Sequence, residues 1–214
     1  MEKAPIISSV SIQKWLRESW MLFKQEPGIL LLASVIYFVL MATMNSPSRE
    51  NHSLSLFWLL LEGPLLVGFY ALYFEIMRTG HANFTTFFRG FNVYVPAVVA
   101  NILLIMLSAI GYIFFILPGL LIEALFIFTY PLILEKKMSF WEALMASKEV
   151  TKSFLFEFGG FILLKWILYL LGMLFFGIGT IFVFPWFIGS IAVAYREIFG
   201  LNQTKQEGGF NEIV

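Results

Sequence analysis

Six long apolar runs, separated by short polar segments, dominate the chain. Each run contains at least 17 predominantly apolar residues, about the length that an α-helix needs to cross the roughly 30 Å hydrocarbon core of a bilayer. Strands of a membrane barrel would instead alternate polar and apolar side chains over roughly ten residues. The predicted spans are residues 28–44, 54–77, 93–115, 118–134, 154–176 and 181–199. The pattern therefore predicts an all-α integral membrane protein with six transmembrane helices.

A shorter segment with helical periodicity precedes the first span. Between Ser11 and Gln25, apolar or small side chains recur at spacings of three and four residues, and charged side chains occupy the other faces. Trp15 and Ser19 belong to the apolar face. Such a helix is expected to lie along the membrane surface with this face towards the bilayer.

Two later polar segments resemble this first one. When the sequence is aligned with itself at an offset of 128 residues, the apolar face of the segment that begins at Ser11 matches the segment that begins at Ser139. At an offset of 56 residues, the segment that begins at Asn83 matches the same positions. All three residues are good N-caps, and Ser139 with Glu142 forms a capping-box pattern. The membrane-surface residues predicted from the three segments are Trp15, Ser19, Phe87, Trp141, Glu142, Ser147 and Lys152.

Prolines add to the similarity of the three regions. If the six spans are grouped in order into three hairpins, the second span of each hairpin contains one proline: Pro64, Pro118 or Pro185. Pro118 is expected in the first turn of its helix, where a missing N–H costs nothing. These features favour three repeats of an amphipathic surface helix plus a transmembrane hairpin. The alternative is a six-span protein without repeats, whose short polar loops look similar under a loose alignment.

Lysine and arginine residues lie almost entirely on one side of the predicted topology. That side contains the N-terminus, residues 78–92, residues 135–153 and the C-terminus, with twelve Lys or Arg residues, whereas the other side contains only Arg49. Because basic residues concentrate in cytoplasmic loops, both termini are predicted to be cytoplasmic. Residues 1–200 are predicted to form a single membrane domain, followed by a polar tail at 201–214.

The composition agrees with a membrane protein and excludes several functions. The chain has 214 residues, of which 59% are hydrophobic and 13% charged, against roughly 25% charged in soluble domains. This length leaves no room for a separate soluble enzyme. The absence of cysteine excludes disulfides, iron–sulfur clusters and thiolate catalysis. The leader before the first span is too long and too structured for a signal peptide, so we expect it to be retained.

One stretch has a family resemblance. It begins with Leu117-Pro118-Gly119, continues through a span to Glu142-Ala-Leu-Met-Ala-Ser147 and ends at Thr151-Lys152. It resembles a widespread group of prokaryotic membrane proteins, which includes the uncharacterised YciC-type inner-membrane proteins and the membrane domain of some glycerophosphoryl diester phosphodiesterases. The resemblance covers about residues 60–200 and implies a six-span protein of the prokaryotic cytoplasmic (inner) membrane. It implies no chemistry and no site residues, and the soluble phosphodiesterase part has no counterpart in this sequence.

Residues suited to catalysis or metal binding are scarce. The two histidines, His52 and His81, lie on opposite sides of the predicted membrane, so they cannot share a metal ion. The sequence contains no His-Glu-x-x-His motif, glycine-rich phosphate loop or Gly-x-Ser-x-Gly motif. Its aromatic residues follow membrane-facing patterns and its basic residues lie at span ends. We therefore expect a protein that is not an enzyme and that binds no metal, cofactor or nucleic acid.

Charged residues inside the predicted spans are the strongest functional signal, because they are costly in lipid and often functional. Lys165 lies about eleven residues, or roughly 16 Å, into the fifth span, near the bilayer centre. Glu123 and Glu62 lie at similar depth as candidate partners, and Asn101 adds a neutral polar group. One hypothesis is a substrate or proton site of the kind that carriers form at mid-membrane. The alternatives are a structural ion pair, or a lysine that reaches an interface beside Trp166.

Two functions follow from these patterns, and a third, a lipid-modifying enzyme, is disfavoured because the sequence lacks a nucleophile set and a metal set. The leading expectation is a non-enzymatic protein of the prokaryotic cytoplasmic membrane that organises lipid or partner proteins through its surface helices. The alternative is a small carrier or channel that uses Lys165, Glu123 and Glu62. Membrane lipid is the expected partner, with a second copy of the chain or another membrane protein as further candidates.

Overall fold

The computed structural model describes residues 10–44, 53–174 and 177–201, which form α-helices and 3-10 helices joined by short connections, with no strand among them. The α-helices are α1 (Ile12–Phe23), α2 (Pro27–Met44), α3 (Ser53–Thr79), α4 (Tyr94–Phe114), α5 (Ile116–Leu125), α6 (Thr129–Lys136), α7 (Phe140–Thr151), α8 (Leu155–Leu174) and α9 (Ile178–Phe199). The 3-10 helices are Phe84–Val93 and Lys152–Phe154. Arg49, His52 and the predicted tail beyond Leu201 lie outside the described residues.

Six helical stretches in the described part of the chain are long and apolar enough to cross a membrane. The predicted all-α, multi-pass class is therefore confirmed. The predicted bounds of the spans lie within three residues of α2, α3, α4, α8 and α9, and of the combined stretch of α5 and α6. Pro118 is the third residue of α5, in the first turn as predicted, whereas Pro64 and Pro185 lie inside α3 and α9.

The fourth span is broken, which the sequence pattern does not predict. α5 ends at Leu125 and α6 begins at Thr129, so backbone groups at the break lose their partners within the helix. Side chains of α7 replace those partners. The Ser147 hydroxyl donates to the Leu125 carbonyl at 2.9 Å and accepts from the Phe128 N–H at 3.1 Å, and Thr151 donates to the same carbonyl at 2.9 Å. Ser147 and Thr151 are fully buried, so α7 is fixed to the bundle by these hydrogen bonds.

Replacing Ser147 with alanine is expected to lower the free energy of unfolding by about 1–3 kcal/mol, the cost of leaving a buried donor unpaired. In this variant the Thr151 hydroxyl still donates a hydrogen bond to the Leu125 carbonyl, but the Phe128 N–H loses its acceptor. Unfolding in detergent micelles with increasing denaturant measures the difference. Ser153→Ala, at an exposed serine, is the control, and equal losses in the two variants would contradict the prediction.

The apolar face of α1 contacts protein rather than lipid, so the prediction for Trp15 and Ser19 is wrong. Trp15 is fully buried against Phe158 and Phe161 of α8, and its Nε1 donates to Glu197 at 2.9 Å. Ser19 is also buried and donates to a backbone carbonyl of α9 at 2.6 Å. The hairpin of α8 and α9 covers this face. Periodicity cannot distinguish such a partner from lipid, because both are apolar.

The middle surface segment, Phe84–Val93, is a 3-10 helix rather than an amphipathic α-helix. Its phenylalanines include pairs three residues apart, which fit the three-residue turn of a 3-10 helix. Phe87 is fully buried against Phe69 of α3, with ring centroids 5.2 Å apart. It therefore contacts protein, and the expectation that it lies on the membrane surface is also wrong.

The predicted N-caps are formed at two of the three segments. Asn83 accepts a hydrogen bond from the Thr85 N–H at 3.0 Å. Ser139 and Glu142 form the complete capping box, in which the Ser139 N–H donates to the Glu142 carboxylate at 2.9 Å. Ser11 occupies the N-cap position of α1, but its side chain makes no capping hydrogen bond.

The three surface segments lie at the same end of the bundle, here called the basic end. Segment α1 contacts α9, the 3-10 helix Phe84–Val93 contacts α3, and α7 contacts α6. The spans form the rest of the bundle, in which α3 and α4, α5 and α8, and α8 and α9 are neighbours. This arrangement brings polar residues of several spans together inside the bundle.

A candidate polar site inside the bundle

Lys165 lies near the midpoint of α8 and forms an ion pair with Glu123 of α5. Both side chains are mostly buried, with 18% and 17% of their surface exposed. Tyr112 of α4 donates to the second carboxylate oxygen of Glu123 at 2.6 Å, and the Lys165 ammonium lies 5.1 Å from the centre of the Trp166 ring. Lys165 is therefore paired with a carboxylate, and of the two candidate partners it is Glu123.

A close approach of α4 and α5 positions Tyr112 for this contact. A Cβ atom on Gly119 would lie 2.3 Å from the Tyr112 ring, so only glycine leaves room for the ring at that position. Glu123 is four residues after Gly119 and therefore lies on the same face of α5, one turn further along. The ring packs along this face and its hydroxyl reaches the carboxylate.

Glu62 of α3 is the centre of a second polar cluster and is not the partner of Lys165. Its carboxylate accepts hydrogen bonds from the Tyr37 hydroxyl and from the Asn101 side-chain amide, each at 3.2 Å. The amide oxygen of Asn101 accepts from the Tyr130 hydroxyl at 2.7 Å. No lysine, arginine or histidine in the described ranges forms an ion pair with Glu62. This carboxylate is therefore held by neutral donors.

A cleft of about 270 Å³ contacts both clusters. Apolar side chains of several spans surround its polar lining, which consists of Tyr70, Asn101, Ser108, Glu123, Tyr130 and Lys165. The volume is slightly below the roughly 300–1,000 Å³ of sites for drug-sized ligands, so the cleft suits a small solute. An ion pair that only orients helices needs no adjoining space, which favours a binding role for these residues.

The four predicted intramembrane residues are brought together, although not in one cluster. Lys165, Glu123 and Asn101 line the cleft, and Glu62 is linked to it through Asn101. Their similar predicted depth in the predicted spans was sufficient to group them. Depth did not determine which carboxylate pairs with Lys165, because that depends on how the helices are arranged around the bundle.

Three tyrosines complete the two clusters and are absent from the residues predicted from the sequence: Tyr37, Tyr112 and Tyr130. A buried tyrosine hydroxyl usually has a hydrogen-bond partner, so a tyrosine well inside a span is a usable signal. Tyrosine is also enriched at membrane interfaces. Its occurrence in a span therefore does not by itself indicate an internal hydrogen bond.

The predicted membrane-surface residues fall into two groups. The buried ones are Trp15, Ser19, Phe87 and Ser147, and the exposed ones are Trp141, Glu142 and Lys152. Lys152 forms an exposed ion pair with Glu149 at 2.6 Å, a type of contact that contributes little stability. Only the second group is available to lipid or to a partner.

The lining of the cleft contains groups that can bind a polar molecule. Lys165 and Glu123 provide one charge of each sign, and Asn101 and Tyr130 provide neutral hydrogen-bonding groups. Among the described residues, no group of three His, Asp or Glu side chains is placed to hold a metal ion. The site therefore has the groups needed to hold a small polar molecule by charge and hydrogen bonds.

Comparisons with known proteins provide no relative from which this site can be interpreted. No protein-family model, no curated protein and no solved structure matches the chain. The resemblance to YciC-type proteins therefore remains a prediction, and the function has to be inferred from the residues of the site.

Proposed function

We propose that this protein binds a small polar solute inside its helix bundle and passes it across the membrane, without acting as an enzyme. The observation that carries the proposal is the cleft lined by both members of the Lys165–Glu123 pair and by Asn101 and Tyr130. Charged residues inside spans are costly and frequently mark the paths of solutes or protons. Carriers form their binding sites near the bilayer midplane, and Lys165 lies near the middle of its helix.

The ion pair favours a solute that contains both a carboxylate and an ammonium group. Such a zwitterion can replace the direct contact between Lys165 and Glu123, with its carboxylate on the ammonium and its ammonium on the carboxylate. No charge is then left unpaired in the apolar interior, where an unpaired charge is strongly unfavourable. Glu62 adjoins the site through Asn101 and, in this proposal, binds a proton rather than the solute.

Uptake of radiolabelled glycine by liposomes that contain the purified protein tests this function. We expect uptake above that of empty liposomes, and at least about a tenfold reduction in Lys165→Met and Glu123→Gln, since each loses a charge-assisted hydrogen bond. Labelled glycerol and acetate, as neutral and anionic solutes, test the preference for a zwitterion. Lys148→Met, at an exposed lysine of α7, is the control.

Two results would contradict the proposed transport. One is that none of the three solutes crosses faster than in empty liposomes. The other is that the Lys165 and Glu123 variants transport as well as the unchanged protein. The double variant Lys165→Met/Glu123→Gln leaves neither member of the ion pair as an unpaired buried charge, so it is expected to remain folded and to lack uptake.

A second function is favoured by exposed apolar side chains on the surface helices. Trp141 and Met145 on α7 are 59% and 38% exposed, and Trp20 and Met21 on α1 are 43% and 48% exposed. A protein that organises lipid or partner proteins at the membrane surface would use these side chains. The uptake experiment separates the two functions, because this role requires no transport and no dependence on Lys165.

We also propose that the three surface segments and their hairpins are structural repeats. In support, each segment contacts the second span of a hairpin, and Ser19 and Ser147 both donate to a backbone carbonyl of that span. Gly68 faces Phe87, and Gly189 faces Ser19, each four residues after a proline. Superposing the three units in an experimental structure tests the idea, and unrelated rotations between them would contradict it.

The proposed location is the cytoplasmic membrane of a prokaryote, with the basic end and both termini in the cytoplasm. The support is the distribution of Lys and Arg, with Arg49 alone on the other side. Because the chain has no cysteine, Arg49→Cys and Lys148→Cys each introduce a unique label site. A membrane-impermeant thiol reagent applied to intact cells should label position 49 and not position 148. Labelling of both positions from outside would exclude this orientation.

A further inference from the structure

A second cleft, of about 260 Å³, lies at the basic end of the bundle. It is formed by the end of α3, the 3-10 helix Phe84–Val93 and the end of α6. The residues that matter for its chemistry are Phe74, Arg78, Arg89, Asn92, Glu135 and Lys137. This cleft is separate from the polar site inside the bundle and has no lining residue in common with it.

Positive charge exceeds negative charge in this second cleft. Three cationic side chains and one carboxylate line it, and Glu135 forms an ion pair with Arg78. In the part of the chain that the structure describes, neither Arg89 nor Lys137 forms an ion pair with a carboxylate. The lining therefore has an excess of two positive charges, available to an anion.

A buried hydroxyl lies beside the same ion pair. The Tyr195 ring packs next to Phe74 with centroids 5.4 Å apart, and its hydroxyl is buried without a hydrogen-bond partner among the described residues. It interacts electrostatically with Glu135 and Arg78. Buried polar groups without a partner are uncommon in native proteins. Tyr195 is not among the residues that line the cleft, so its hydroxyl is a buried polar group behind the ion pair and not a contact for a ligand.

Lys137 has an unusual backbone conformation at the rim of this cleft. It follows the last residue of α6 with φ 54° and ψ 30°, and it is the one described residue other than glycine with positive φ. Helices commonly end in this left-handed conformation, but glycine is the usual residue because a side chain disfavours it. Lys137 therefore adds a positive charge to the cleft, and its left-handed backbone costs some stability. Strained residues of this kind are frequent at sites that hold ligands.

We propose that this cleft binds the phosphate headgroup of an anionic phospholipid. Arginine and lysine form charge-assisted hydrogen bonds with phosphate oxygens, and basic clefts between membrane helices bind anionic headgroups. The adjacent surface favours a lipid over a soluble phosphate. Tyr94 and Val95, two and three residues after Asn92, are 38% and 67% exposed at the start of the α4 span. Acyl chains can lie on this apolar surface while the headgroup occupies the cleft.

Native mass spectrometry of the full chain in detergent, titrated with phosphatidylglycerol or phosphatidylcholine, tests the site. We expect preferential binding of phosphatidylglycerol, weakened at least about fivefold in Lys137→Gly and in Arg89→Gln, which each lose one basic contact. Lys148→Ala, at an exposed lysine of the same end, should bind as the unchanged protein does. Lys137→Gly is expected to unfold at the same or a higher temperature, since glycine suits the left-handed conformation, so weaker binding in this variant does not result from unfolding.

Three results would overturn the assignment. Phosphatidylglycerol that binds no better than phosphatidylcholine would exclude a site for anionic headgroups. Unchanged binding in both Lys137→Gly and Arg89→Gln would exclude this cleft. Complete displacement of the lipid by millimolar inorganic phosphate would assign the cleft to a soluble phosphate compound instead of a lipid.

Discussion

Replacing Lys165 with methionine is expected to lower the free energy of unfolding by about 3 kcal/mol, because Glu123 then remains as an unpaired charge inside the bundle. Removing one partner of a buried ion pair typically costs about 3–5 kcal/mol, and a single charge at the centre of a span costs about 2.5–3.5 kcal/mol on insertion scales. Tyr112 still donates to Glu123 at 2.6 Å, but a neutral hydroxyl does not compensate the charge. Unfolding in mixed micelles measures the loss.

The matched variants separate the ion pair from simple packing. Lys165→Met/Glu123→Gln has no charge at the site, so it is expected to recover most of the stability that Lys165→Met loses. Lys148→Met, at an exposed lysine, is expected to change stability by no more than about 0.5 kcal/mol. A double variant as unstable as the single one would show that the loss comes from the shape of the lysine side chain and not from its charge.

Replacing Gly68 with alanine is expected to destabilise the protein by about 3 kcal/mol, at the upper end of the cost of overpacking. A Cβ atom on Gly68 would lie 2.2 Å from the carbonyl oxygen of Phe87 and 2.9 Å from its ring. The clash is with backbone, so the 3-10 helix Phe84–Val93 must move away from α3. Unfolding in mixed micelles measures this loss, and easier proteolysis after Arg89 would show the detachment of the 3-10 helix.

Gly160→Ala is the control, because Gly160 also lies inside a helix. A Cβ atom at this position would meet nothing within 4 Å apart from the backbone of its own helix. Alanine is the better helix former by about 1 kcal/mol. Gly160→Ala is therefore expected to leave stability unchanged or to raise it. A loss of similar size in both variants would show that the contact between Gly68 and Phe87 is not the cause.

The helical class and the spans could be predicted because they depend on local properties. The length and hydropathy of each run decide whether a helix can cross a membrane, and these are properties of consecutive residues. The capping box of Ser139 and Glu142 is local in the same way. The break after Leu125 is different, since the groups that satisfy it come from Ser147 and Thr151 of another helix.

The surface segments show where a sequence pattern is ambiguous. The apolar face with Trp15 and the phenylalanines around Phe87 indicate that something apolar covers these segments. In the structure these side chains are covered by protein: Trp15 contacts α8 and α9, and Phe87 contacts α3. Trp141 is also a tryptophan of a surface segment, but it lies two residues after Ser139 whereas Trp15 lies four residues after Ser11, so it is on another face of its helix and is exposed.

By itself, the sequence determined that the chain has six helices long and apolar enough to cross a membrane, and it predicted that Lys165, Glu123, Glu62 and Asn101 lie at similar depth. Hydropathy and a rise of about 1.5 Å per residue fix those properties without reference to other helices. Only the tertiary structure decided that Glu123 rather than Glu62 pairs with Lys165, and that a cleft lies between the two clusters. The physical reason is that pairing depends on the rotation and neighbours of each helix, which are set by packing between residues far apart in the chain.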